Sequence, residues 1–235
     1  MTIEAFNNSL TAIGVAPVTN ETYTLFEQYA ETLFETNKKF NLTAVPDIDS
    51  IFFRHFTDSL ALCKFGILNY NDIIDVGSGA GFPGIPIKLY APEKRLTLLD
   101  ATEKKVNFIR MLAKDLEIDI NCIHGRCEEI ANAPEYRAKF GVVTTRAVAK
   151  LNTLCEMCLP LLKIGGFFYA MKSKDYKIEL EDSKNAIDLL GGQLVCEELY
   201  TVPEQAVRSV VIIKKISETT SKYPRKYSKI ISLPL

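Results

Sequence analysis

The sequence predicts an α/β fold: a mostly parallel sheet of seven strands, helix-covered on both faces and with its last strand antiparallel, preceded by an N-terminal helical cap. Three observations predict it. No strand signal precedes residue 72, and beyond it seven apolar, β-rich runs alternate with helical patterns. Gly77, Gly79, Gly81 and Gly84 stand directly behind the first run, where an open α/β sheet carries its ligand loop. The last two runs are joined only by 201–206, too short for a crossover helix, so they form an antiparallel hairpin.

The elements follow in order. Tyr23, Phe26, Ala30, Leu33 and Phe34 recur at helical spacing after Asn20 and Thr22, the N-cap candidates, and predict an amphipathic helix over 20–38 behind a shorter first helix. Ile51, Phe52, Phe56 and Leu60 predict a further helix over 47–63, after Pro46. Strands are predicted at 73–76, 96–99, 120–123, 141–145, 166–171, 193–200 and 207–214, with the clearest helices over 103–116 and 174–190. The chain thus divides into a cap (1–70), a sheet domain (71–216) and a basic arm (217–235).

Composition bounds the function. At 235 residues and 47% hydrophobic, the chain can bury a full core. Its first residues lack the basic region and apolar core of a signal peptide, and no uncharged run reaches membrane-spanning length, so a soluble cytoplasmic protein with no membrane partner is expected. The six cysteines lie in apolar segments and are expected as reduced thiols. Cys155 and Cys158 have a metal or redox spacing, but there is no second such pair and no nearby histidine, so core packing is expected and no metal site. A net charge of −1 argues against a generally basic nucleic-acid binder, yet from Pro203 onward seven Lys/Arg face Glu204 and Glu218, a local charge of +5. No coiled-coil repeat or apolar seam is visible, which makes a monomer the default expectation.

Two cofactor readings compete for the glycine loop. Gly79, Gly81 and Gly84 satisfy the dinucleotide pattern GxGxxG. However, the strand ends at Val76, so the turn opens at Gly77, and in that register the third fingerprint position is Phe82. Pro83 and Pro86 suit the first turn of the next helix. Asp75 followed by Gly77, Gly79 and Gly81 instead resembles motif I of the S-adenosylmethionine-dependent methyltransferases, whose class I members have a Rossmann-like sheet with an antiparallel seventh strand. Asp100, at the end of the second strand, can accept hydrogen bonds from ribose hydroxyls under either reading.

A more specific resemblance spans nearly the whole chain. Asn41-Leu-Thr-Ala44, His55-Phe-Thr-Asp-Ser-Leu60, Asp75-Val-Gly-Ser-Gly-Ala-Gly-Phe-Pro-Gly-Ile-Pro86, Gly125-Arg-Cys-Glu-Glu129, Thr145-Arg-Ala-Val-Ala149 and Tyr223-Pro-Arg225 occur in that order. Together they resemble the ribosomal RNA small subunit methyltransferase G family, also called the glucose-inhibited division protein B family. The resemblance implies methyl transfer from S-adenosyl-L-methionine to N7 of a guanine (position 527, 530 loop) of 16S rRNA, free or in a small-subunit precursor. Guanine N7 carries a free in-plane lone pair, so the reaction needs alignment and no general base. Accordingly, Thr144-Thr-Arg-Ala-Val148 stands where amino-group methyltransferases carry Asn/Asp-Pro-Pro-aromatic, and no Pro-Cys pair offers the nucleophile of cytosine C5 enzymes. Methylation of another RNA or small substrate, an RNA-interaction protein that only binds the cofactor, and an NAD(P)-dependent oxidoreductase remain as alternatives.

Residue roles follow. Gly77, Gly79, Gly81 and Phe82 are expected to form the cofactor loop and Asp100 to hold the ribose. The resemblance implies adenine-side contacts at Cys127 and Glu128, with Cys127 as a small buried residue the alternative, and a cofactor-binding, catalytic arginine at Arg146. An arginine ending an apolar strand is costly without a partner, which favours a functional over a structural role for Arg146. Arg126, Arg208, Lys222, Arg225 and Lys226 are the expected RNA contacts, with Tyr223 and Tyr227 able to stack on unpaired bases. After Arg225 the chain departs from the family's glycine- and proline-containing continuation, with Tyr227, Ser228 and Ile230. His55 matches a family position but is expected to satisfy the cap, and His124 merely precedes Gly125.

Overall fold

An aromatic core builds the cap. In the computed structural model, which describes residues 1–40, 42–43, 46–202 and 206–235, α1 (Ile3–Ala12) and α2 (Asn20–Phe40) pack on a third helical run. Asn41 and Ala44 of the first family motif, and 203–205 of the expected hairpin connection, lie outside the described residues. The Thr19 hydroxyl accepts from Thr22 N at 3.3 Å, so Thr19 caps α2 rather than Asn20 or Thr22.

The third run departs from the single helix expected over 47–63. It comprises α3 (Ile48–Ile51), a π turn over Phe52–Thr57, α4 (Asp58–Leu60) and a 3-10 stretch over Ala61–Phe65. The reason is packing. Phe52 and Phe56 are both fully buried, the first 5.0 Å from the Phe6 ring and the second 5.0 Å from Phe26. The wider turn that holds both rings inward leaves Arg54, His55 and Asp58 facing the edge of the sheet, where they line a cleft.

The sheet domain follows the expected alternation. Its elements are β1 (Asp72–Val76), α5 (Gly84–Tyr90), β2 (Arg95–Asp100), α6 (Glu103–Asp115), β3 (Asn121–His124), α7 (Cys127–Ile130), β4 (Phe140–Arg146), α8 (Leu151–Cys158), β5 (Leu162–Ser173), α9 (Tyr176–Glu181), α10 (Lys184–Leu189), β6 (Gly192–Val202) and β7 (Ala206–Lys215). Among the described residues these strands form one sheet in the order β3-β2-β1-β4-β5-β7-β6, with β7 antiparallel to both neighbours. Strand order reverses between β1 and β4, which opens a crevice at their carboxyl ends. Successive residues serve opposite faces: Ile73 and Val142 join the core shared with the cap, Ile74 and Val143 the core under α8 and α10. Cys155 and Cys158 are buried, free thiols in that second core.

One helix expected over 174–190 is two. The buried Ser183 donates its hydroxyl to Glu179 O at 2.5 Å, and α10 restarts on a new line with Ala186 and Ile187 buried.

The basic arm is tied down. Arg137 donates to the carbonyls of Thr219 (2.8 Å), Thr220 (3.1 Å) and Tyr223 (2.9 Å). Tyr223 and Ile230 are buried, the latter in α11 (Tyr227–Ser232). Arg225 forms a two-pronged ion pair with the fully buried Glu156, at 2.8 Å and 2.6 Å.

Candidate active site

The crevice is a cleft of about 1100 Å³ lined from the cap, the loops after β1, β2 and β4, and β5, β6 and β7. Its floor is the glycine loop. Gly77 N and Ser78 N both donate to Leu99 O, at 2.8 Å and 3.2 Å, which turns the loop across the end of β2. Gly77 has φ +70°, and a Cβ there would lie 2.6 Å from Val148 Cγ2, so only glycine passes beneath the β4–α8 connection. Gly79 is open above: the nearest atom to a Cβ built there is 3.9 Å away.

Two carboxylates brace this loop. Asp100 is buried and accepts from Gly79 N (2.9 Å) and Thr102 N (2.8 Å), yet each oxygen keeps a second lone pair. Asp75 is fully buried, accepting from Gly84 N (2.9 Å) and the Thr144 hydroxyl (3.2 Å). Burial outweighs those bonds and pushes its carboxyl up to about 7.

Arg146 dominates the opposite wall. Its guanidinium donates to Asp58 Oδ2 (3.2 Å), Arg54 O (3.4 Å) and His55 Nδ1 (2.7 Å), and lies 4.7 Å from the Phe82 ring centroid. Because arginine only donates, His55 Nδ1 must accept, which leaves the imidazole proton on Nε2, 3.4 Å from the Thr43 hydroxyl. Burial, with Arg146, Arg208 and Arg54 nearby, pushes the imidazole down to about 3, so it is neutral in ordinary buffers. The second oxygen of Asp58 accepts from the Tyr200 hydroxyl at 2.8 Å. Burial and the Asp58 carboxylate hold that phenol well above its ordinary range, so it remains a donor. Two buried atoms of the cleft residues, Ser78 Oγ and Arg208 Nε, have no hydrogen-bond partner among the described residues.

The expected residues divide accordingly. Gly77, Gly79, Phe82, Asp100, Arg146 and Arg208 meet in the cleft. Gly81 does not: it faces away, and a Cβ there would stand 2.9 Å from the Tyr29 hydroxyl and 2.5 Å from Ile85 Cδ1, so its role is close packing. Nor do the side chains of Cys127 and Glu128. The Cys127 thiol donates to Met157 O in the core, and Glu128 is held by Arg126 at 2.7 Å. Arg126 also lies 4.2 Å from the Tyr227 ring, which couples the end of β3 to the arm. Lys222 and Lys226 are exposed, whereas the Arg225 side chain is 10% exposed and committed to Glu156; as an RNA contact it is corrected to a strut of the arm. Sequence reasoning missed Tyr29, Asp58 and Tyr200. Asp58 sat inside a quoted motif, but nothing in the periodicity of β6 distinguishes Tyr200.

The profile of the family described as rRNA small subunit methyltransferase G matches residues 22–205. The ribosomal RNA small subunit methyltransferase G of Clostridium kluyveri is 44% identical over 218 residues, covering 92% of this chain and 91% of the relative. That of Clostridium tetani is 40% identical, covering 99% and 98%. Among solved structures, M. jannaschii TYW2 in complex with AdoMet superposes with a TM-score of 0.50 at 16% identity, covering 63% of this chain and 70% of that one, a likeness of fold. The fold is that of the class I S-adenosylmethionine-dependent methyltransferases, and the chain belongs to the rRNA small subunit methyltransferase G family.

Proposed function

We propose that this protein transfers the methyl group of S-adenosyl-L-methionine to N7 of guanine 527 in 16S rRNA. The observation that carries the reading is a single cleft with two unlike halves: an open glycine loop braced by Asp100, and a cationic, aromatic wall of Arg146, Phe82, Tyr200 and Arg208. The residues of the first half fit the cofactor. The space above Gly79 admits a ligand against bare backbone, the spare lone pairs of Asp100 suit two ribose hydroxyls, and the orphaned Ser78 hydroxyl supplies a polar partner inside the loop. When bound, the cofactor supplies an electrophilic sulfonium methyl.

The protein's own task is alignment. N7 attacks with a lone pair that no proton blocks, so the acceleration comes from holding base and methyl donor in line and excluding water. His55 is spent on Arg146 and Thr43 and is not required as a base. Arg146 is held 4.7 Å from the Phe82 ring centroid by Asp58 and His55, a fixed edge against which the guanine is oriented. Arg208, which lines the same cleft, adds a second guanidinium to the wall that faces the RNA. Arg126 with Tyr227 forms a stacking step for an unpaired nucleotide, and Lys222 and Lys226 add phosphate contacts.

The test is mass spectrometry of 16S rRNA from cells with and without the gene, alongside purified protein with S-adenosyl-L-methionine and small-subunit RNA. A methyl group on N7 of that guanine, absent without the gene, is expected. Methylation elsewhere, or tight NADH binding with no S-adenosyl-L-methionine signal, overturns the reading.

A further inference from the structure

The glycine loop is fastened from two sides. The sheet holds its first half, through Leu99 O and the Asp100 carboxylate on the amides of residues 77–79. The cap packs on its second half, where His55 and Phe56 also meet the Phe82 ring, and one cap side chain both stacks there and hydrogen-bonds the loop backbone. Tyr29, fully buried in α2, donates its hydroxyl to Ala80 O at 2.6 Å, 51 positions along the chain. Its ring stacks on Phe82 at a centroid distance of 5.5 Å and an angle of 20°. Between those contacts lies Gly81, at φ +104°, where any Cβ would stand 2.9 Å from the same hydroxyl. One tyrosine therefore grips residues 80, 81 and 82 in succession, from behind a loop whose Gly77, Ser78, Gly79, Ala80 and Phe82 line the cleft.

We propose that Tyr29 is a positioning residue of the cap that holds the glycine loop ready for the methyl donor, acting through Ala80 and Phe82 without touching the ligand. The inference rests on the methyl-donor reading of the cleft. Its physical basis is preorganisation: a loop already fixed loses little conformational freedom on binding, whereas a loop released on one side must be ordered by its ligand. Without the hydroxyl, the buried Ala80 carbonyl has lost its acceptor bond, and the chain gains by moving to find another donor. The helical cap, which contributes no strand among the described residues, thereby sets affinity at the sheet's ligand loop.

A matched control exists in the same helix. Tyr23 is also buried and donates its hydroxyl to a backbone carbonyl, Met1 O at 2.7 Å, remote from the cleft. Tyr29→Phe and Tyr23→Phe each remove one such bond and keep the ring, so both should fold with similar unfolding midpoints. The experiment reads S-adenosyl-L-methionine affinity by calorimetry, and hydrogen exchange of the Gly81 and Phe82 amides, which bond to Ser78 O at 2.7 Å and 2.9 Å, in ligand-free protein. Tyr29→Phe is expected to weaken binding about tenfold and to speed exchange of those amides, while Tyr23→Phe stays within about twofold on both. Equal affinity and equal exchange in the two variants overturn the proposal. If the unmodified protein binds no S-adenosyl-L-methionine, the functional reading fails on its own, and the exchange comparison still decides whether Tyr29 holds the loop.

Discussion

Replacing Arg225 with alanine would strip a fully buried carboxylate of its counter-ion. The Glu156 side chain is 1% exposed and accepts three bonds from Arg225: backbone N at 2.9 Å, Nε at 2.8 Å and Nη2 at 2.6 Å. Alanine keeps only the first and leaves an uncompensated charge on α8, at the second core. Removing one partner of a buried pair costs about 3–5 kcal/mol, because the desolvated charge that remains has no compensation. In a chain of this length that corresponds to a fall of roughly 6–20 °C in the unfolding midpoint. The assay is thermal and urea unfolding at neutral pH, with RNA binding measured in parallel below the transition. Adding Glu156→Gln to Arg225→Ala should recover much of the loss, since the stranded charge is gone. The reasoning is refuted if Arg225→Ala unfolds within about 0.5 kcal/mol of the parent while losing RNA affinity, for then the arginine serves phosphate and not Glu156.

Gly77→Ala should abolish S-adenosyl-L-methionine binding by calorimetry, because φ +70° and Val148 at 2.6 Å both oppose a Cβ; retained binding would mean that the β4–α8 connection moves aside freely. Stability against pH should carry two opposing slopes. Asp75, raised to about 7, makes the folded state bind more protons than the unfolded one and so destabilises as pH rises from about 4 to 7, whereas His55, lowered to about 3, makes the folded state bind fewer and stabilises as pH rises from about 3 to 6.5. Asp75→Asn should therefore unmask rising stability across that window in urea titrations, and an unchanged profile would refute the assignment. Lys222→Ala and Lys226→Ala should each lower the slope of log affinity for RNA against log salt by about 1 without moving the unfolding midpoint; an unchanged slope removes them from the interface.

Much of the fold was legible because it follows from local rules. A β-branched run before glycines, an acid at the end of the next strand and a hairpin too short for a helix each constrain only a few neighbouring residues, and each recurs in the structure as β1, Asp100 and the β6–β7 pair. Legibility failed where distant packing overrode local pattern. The 47–63 pattern reads as one helix, but seating both Phe52 and Phe56 against Phe6 and Phe26 widens its middle turn. Gly81 reads as one more loop glycine, yet what it accommodates is a tyrosine of the cap. Arg225 reads as a basic residue in a basic arm, and only the fold reveals Glu156 beneath it.

By itself, then, the chain determined the register of its ligand loop, with Gly77 opening the turn, the sheet that carries that loop, and an arginine at the end of β4 that called for a partner. Tertiary structure decided who answered. Arg146 meets Asp58 from 88 positions away, Asp58 meets Tyr200 from 142, and Tyr29 reaches Ala80 from 51. Turns and periodicity are set by near neighbours along the backbone, whereas a buried donor or charge is satisfied by whatever the topology carries to it.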